Sequence, residues 1–131
     1  MRKSEKLEKQ CLSCSKSIPN RNKYCDNVCQ NKYELDQKFL LIENGDFSSF
    51  NTSVTIHQLT RKLLIEKHGA KCMKCGWCEV NKWTGRVPIE MNHIDGNPKN
   101  HNLDNTELVC PNHHSLTEFY GRRGGGRDWR Y

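Results

Sequence analysis

Apolar residues recur at helical spacing in two places along the chain. Val28, Leu35, Phe39 and Ile42 form one stripe, and Ile56, Leu59, Leu63 and Leu64 form another, as expected of helices buried on one face. Asp26 is placed to cap the first helix, which begins near Asn27 and stops at Asn44-Gly45. The second is opened by a capping box, Thr55-x-x-Gln58, and ends at Gly69. His57 and His68 lie on or near it without a sequence partner and read as surface histidines. Beyond Gly69 the period shortens. Ile89 and Met91 alternate with Glu90 and Asn92, predicting a short strand from Val87 to His93. Asp95-Gly96-Asn97-Pro98 is rich in turn signals, and the loop continues through Asn100 and Asn102. Thr106 to Cys110 reads as a second strand, and Pro111 suits the first turn of a helix running to about Tyr120.

Composition changes the picture of what holds these elements together. Hydrophobic residues are 34% of 131, below the roughly 45–50% of ordinary globular chains, so a large apolar core is not expected. Eight cysteines and six histidines offer another source of stability. The opening Met1-Arg2-Lys3-Ser4-Glu5-Lys6 has no apolar h-region. No apolar run approaches the roughly 20 residues that span a membrane. Cys-x2-Cys and Cys-x3-Cys pairs suit tetrahedral zinc better than disulfides, and a reducing, cytoplasmic setting is expected.

Cys11 and Cys14 pair with Cys25 and Cys29, a four-cysteine zinc site with Ser17, Pro19 and Asn20 as the turn between its halves. Cys25 and Cys29 then sit at the start of the first helix, whose dipole favours thiolates. Cys72 and Cys75, followed by a turn-making Gly76, find their matching half in Cys110 and His113. Three thiols and one imidazole then make a zinc site closed over residues 76–109. Cys78 is then a spare thiol. Both zinc ions are structural, and the second holds the ends of the strand–loop–strand–helix unit. Residues 1–44 thus read as a four-cysteine zinc finger with its helix, 45–54 as a linker, 55–121 as the main domain and 122–131 as a basic Gly/Arg tail.

The formal charge is +6, pointing to a polyanionic partner. Zinc-bound thiolates lower that sum, so the placement of the bases matters more than the total. Lys23 and Lys32 on the finger, with Lys16 and Arg21, are candidates for DNA contact, as are Arg122, Arg123 and Arg127 in the tail. Residues 1–10 read as a soluble leader.

Glu90-Met-Asn-His-Ile-Asp-Gly-Asn97 and Asn105-Thr-Glu-Leu-Val-Cys-Pro-Asn-His-His114 concentrate amides, histidines and ligands. Adjacent helical residues point about 100° apart, so His113 can face zinc while His114 faces the hairpin. Glu118, four residues on, would share the His114 face. Asn92, His114 and Glu118 can then surround a further, divalent metal, leaving His93 beside it as a general base for water.

These runs resemble the HNH endonucleases, particularly short phage-type members with a zinc-stapled ββα-metal motif. The likeness covers about residues 55–123, through the Cys72-x2-Cys75-Gly76 knuckle, His93-Ile-Asp-Gly-Asn97, Asn105 and Cys110-Pro-Asn-His-His-Ser-Leu-Thr117. It implies a small α+β, treble-clef-like fold and metal-dependent hydrolysis of DNA phosphodiesters, as a nick or a double-strand break. His93 would activate water, Asn105 would orient it, and His114 would bind the catalytic metal. The family resemblance also points to a bacterial host cytoplasm if phage-encoded, and to packaging proteins such as terminase as partners. Two departures stand out. Asn92 occupies a position where many relatives have His or Asp, and its uncharged amide favours Mg2+ or Mn2+. His113 replaces the usual final cysteine of the clamp, an exchange zinc accepts. The alternative reading is a zinc-stabilised DNA-binding module without catalysis, with Asn92 as the lesion.

Overall fold

The computed structural model describes residues 8–121, so the candidate contacts Arg122, Arg123 and Arg127 lie outside the described residues. The chain divides into two compact units at Leu40/Leu41.

In the first unit, β1 (Glu8–Gln10) pairs antiparallel with β2 (Ser17–Pro19). Residues 8–10 of the expected leader and Ser17 and Pro19 of the expected turn are therefore strand residues of a hairpin. Its apolar anchor is Ile18, which is buried together with Cys11. The turn between the strands is closed by Cys11 N donating to Lys16 O at 2.8 Å. Then α1 (Asn27–Glu43) starts where expected, with Asp26 Oδ1 accepting from Cys29 N at 2.7 Å. The expected apolar stripe is incomplete: Phe39 and Ile42 are buried, whereas Val28 in the first turn is 75% exposed.

In the second unit, α2 (Ser53–His68) begins earlier than expected. Thr52 is extended and its side chain accepts from Thr55 N, which makes Thr52, not Thr55, the cap. The linker expected over 45–54 thus gives its last residues to this helix. Gly69 ends it at φ 80°, a conformation available to glycine without strain. Ile56, Leu63 and Leu64 are buried as the stripe predicts.

β3 (Glu90–His93) and β4 (Thr106–Val109) form an antiparallel pair with Met91 opposite Leu108 and His93 opposite Thr106. Leu64 of α2 packs with Cys72, Ile89, Met91, Leu108, Val109 and Cys110 in one small core. Arg61 Nη2 donates to Ile89 O at 2.9 Å, fixing α2 to the foot of β3. A 3-10 turn at Leu103–Asn105 leads into β4, and α3 (Pro111–Ser115) follows it. This last helix is much shorter than the run to Tyr120 expected from sequence. Ser115 Oγ donates to Asn112 O at 2.7 Å and Thr117 Oγ1 to His114 O at 2.8 Å. These hydroxyls occupy carbonyls that a continuing helix would use for its own backbone. The molecule is a small α+β protein with two short sheets. No helix among the described residues is long and apolar enough to cross a membrane.

Candidate active site and metal centres

Four thiols, Cys11, Cys14, Cys25 and Cys29, converge in the first unit, and Cys72, Cys75, Cys110 and His113 converge in the second. In each set the ligand atoms lie within 4.8 Å of one another. Tetrahedral zinc with Zn–S bonds of about 2.3 Å separates its sulfurs by about 3.8 Å. Cys14 and Cys25 Sγ are 3.7 Å apart, Cys25 and Cys29 3.4 Å, and Cys75 and Cys110 4.0 Å. His113 Nδ1 lies 3.6 Å from Cys72 Sγ and 3.3 Å from Cys110 Sγ. These spacings are close to the edges of such a tetrahedron, and both sets could hold zinc.

The backbone prepares the thiolates. An N–H of Cys14 leads the groups that pull the Cys11 thiol down to about 6, while sharing a proton with Cys29 pushes Cys25 up to about 12. At Cys72 burial opposes ionisation, but backbone N–H groups of Cys110, Cys75 and Lys74 outweigh it and bring the thiol to about 6. Gly76, at φ 75°, turns the chain so that its N–H reaches Cys72 O at 2.8 Å. Cys78 is exposed and joins neither set.

Between the two halves of the second set, His93 ends β3 and is half-buried. The loop that follows is tied down by one side chain. Asn105 Oδ1 accepts from Asp95 N at 3.0 Å, and its Nδ2 donates to Asp95 Oδ1 and to Asn100 O, each at 2.9 Å. Asp95 also accepts from Asn100 Nδ2 and Asn97 N, both at 2.8 Å. Three donors, Asn100 first, hold its carboxyl below the usual carboxylate range. Asn105 is a latch that closes the loop behind His93.

His114 points from α3 to the hairpin, and its Nδ1 contacts the Glu90 carboxylate. Asn92 is buried, with its Nδ2 donating to Glu107 Oε1 at 3.0 Å. Its Oδ1 makes no hydrogen bond among the described residues. Glu118 is exposed and lies beyond the end of α3, so the shared helical face expected for it and His114 does not form. The carboxylate brought to His114 is Glu90 instead. Lys23 and Lys32 are both exposed.

Two histidines enter the site that sequence reasoning assigned elsewhere or passed over. His57, expected at the surface, is half-buried with its ring centroid 5.9 Å from that of His93. His101 is 2% exposed and touches both, at 5.1 Å from His93 and 6.1 Å from His57. Burial comes first in holding all three imidazoles below their ordinary value, followed by the Arg61 charge at His57, by His57 at His93, and by His93 and His57 at His101. The neutral form is the stable one at pH 7.

The chain is similar, at 33% identity over 111 residues, to the H-N-H endonuclease F-TflIV of Escherichia phage T5. That stretch is 84% of this chain and 42% of the relative, so the chain spans less than half the relative's length. No family model matches the chain, and no solved structure matches it.

Proposed function

From this likeness, which supports an HNH endonuclease family for the chain, we propose a metal-dependent endonuclease that hydrolyses DNA phosphodiesters. The observation that carries the reading is His93. It is a neutral, half-exposed imidazole at the end of a strand, with Nδ1 free of any hydrogen bond among the described residues. On this reading β3, β4 and α3 are a ββα-metal unit, and two zinc ions staple the fold without entering the chemistry.

The proposed place for a divalent ion is at His114. One imidazole nitrogen meets the Glu90 carboxylate there, and the carboxylate is the kind of oxygen donor that Mg2+ or Mn2+ takes. Asn92 Oδ1, two residues along the same strand from Glu90, is a neutral third donor. When bound, the ion stabilises charge growing on the phosphate and on the departing 3′ oxygen. His93 Nδ1 takes a proton from water as the water oxygen bonds to phosphorus and the bond to the 3′ oxygen breaks. Asn105 keeps the 95–105 loop closed, which holds His93 at its angle. Lys23 and Lys32 are the proposed phosphate contacts of the first unit, Arg122, Arg123 and Arg127 those of the tail, and packaging proteins such as terminase are the proposed partners.

One observation favours the second reading, a DNA-binding module without catalysis. The Asn92 amide is engaged by Glu107 and offers the metal no charge. A supercoiled-plasmid assay with Mg2+, Mn2+ or EDTA separates the two. Metal-dependent relaxation that His93→Ala reduces by about 100-fold or more is the expected result. Binding without cleavage in any metal supports the module, and cleavage that survives His93→Ala removes His93 from the mechanism.

A further inference from the structure

His101 is one of the most deeply buried side chains in the protein, and both its ring nitrogens are engaged. Nδ1 lies 3.2 Å from His93 Nε2, and Nε2 lies 3.0 Å from Ser53 Oγ. The ring is wedged between His57, at 6.1 Å, and the edge of Phe47, at 6.3 Å between centroids. A row of three groups, Ser53, His101 and His93, thus runs from the first turn of α2 through the interior to the end of β3.

A neutral imidazole has one N–H donor and one bare nitrogen. The row can therefore be protonated in only two consistent ways. If Ser53 donates to His101, then His101 Nδ1–H donates to His93 Nε2, and the His93 proton resides on Nδ1. Reversed, His93 Nε2–H donates to His101 Nδ1, His101 Nε2–H donates to Ser53 Oγ, and the exposed hydroxyl turns its own proton to solvent. Only the second leaves a lone pair on His93 Nδ1, the nitrogen with no partner.

We propose that His101 is a positioning residue that holds His93 as its Nε2–H tautomer, with Nδ1 bare. The inference rests on the assignment of His93 as the base, and it deepens that assignment by naming what sets its tautomer. His101 touches no substrate. It acts by accepting one hydrogen bond, which fixes both ring angle and proton position in advance of the reaction. A backbone carbonyl could fix the same tautomer. A second imidazole in that place also needs an acceptor behind it, and Ser53 supplies one.

The test reads the tautomer directly. In the zinc-loaded full-length protein with 15N-labelled histidine, the ring nitrogen shifts and N–H couplings of His93 are measured, and single-turnover plasmid cleavage is followed in parallel. The wild type is expected to show Nε2–H with Nδ1 bare. His101→Phe keeps a ring of similar size but offers no acceptor. It should mix the His93 tautomers and slow single-turnover cleavage on the order of tenfold, leaving the plasmid concentration for half-maximal rate unchanged. His101→Asn, whose amide can place an acceptor near the position of Nδ1, should restore both. If His101→Phe does not fold, Ser53→Ala, at an exposed helix terminus, carries the same test and should shift the populations in the same direction. An Nδ1–H tautomer in the wild type, or a His93 spectrum untouched by these variants, overturns the proposal. The spectrum is read without any cleavage, so an inactive protein with the expected tautomer would count against the nuclease reading alone.

Discussion

The sequence offers Glu118 as the carboxylate beside His114, and the structure brings Glu90 there instead. Glu118 depended on a helical phase that ends at Ser115, whereas Glu90 reaches His114 across the hairpin from β3. Glu90→Gln keeps the shape and removes the charge, so the Mg2+ or Mn2+ concentration needed for half-maximal cleavage should rise by roughly tenfold, because affinity for these hard cations follows ligand charge. Glu118→Gln should leave it unchanged. The reverse result in a metal titration would restore Glu118 as the ligand. The same contrast explains what was legible at this scale. Cys11, Cys14, Cys25, Cys29, Cys72, Cys75, Cys110 and His113 announced themselves by local spacing, which requires only that close pairs share an ion. His57 and His101 gave no such sign. Their partners are remote in sequence, His101 meeting Ser53 from 48 positions away, and no periodicity records a contact of that kind.

At the scale of elements, α1, α2, β3 and β4 followed from apolar period, whereas the β1–β2 hairpin did not, and the helix ends were decided by side-chain hydroxyls. Thr52 and Thr55 are both plausible caps, and their Oγ1 atoms lie 2.8 Å apart. The extended backbone at Thr52 settles which one opens α2. Ser115 and Thr117 end α3 in a similar way, by taking carbonyls from its last turn. The loop between β3 and β4 carries a constraint of a different kind at Gly96, which has φ 72°. A methyl group there would overlap the Phe119 side chain, beyond the end of α3. Gly96→Ala combines left-handed strain with that overlap and should cost about 2 kcal/mol, read as a lower urea midpoint in the zinc-loaded protein. Cleavage should fall with it, since the Asp95–Asn105 latch spans the same loop. A midpoint equal to wild type would mean that Phe119 moves aside freely.

For the whole molecule the question is how so small a core holds a catalytic geometry. The main apolar cluster of the second unit has seven buried residues, and two of them, Cys72 and Cys110, belong to the set that could hold zinc. Burial of so few side chains does little against the chain entropy of ordering residues 41–121, and a zinc ion bound by the Cys72 set would supply much of the difference. Such a clamp would draw α3 to the knuckle, and with it His114 to Glu90, so losing the ion should lose the site. The four-thiol set lies in the other unit, with its own hairpin and its own buried Ile18. Zinc release measured by a chromogenic chelator should therefore give two ions per wild-type chain and one for either Cys11→Ser or Cys72→Ser. Amide exchange should then separate the variants. Cys72→Ser should lose protection through β3, β4 and α2 and lose cleavage, while Cys11→Ser should keep that protection. If Cys72→Ser keeps its protected amides, the apolar core is sufficient alone, and the ion is an accessory to a fold already made.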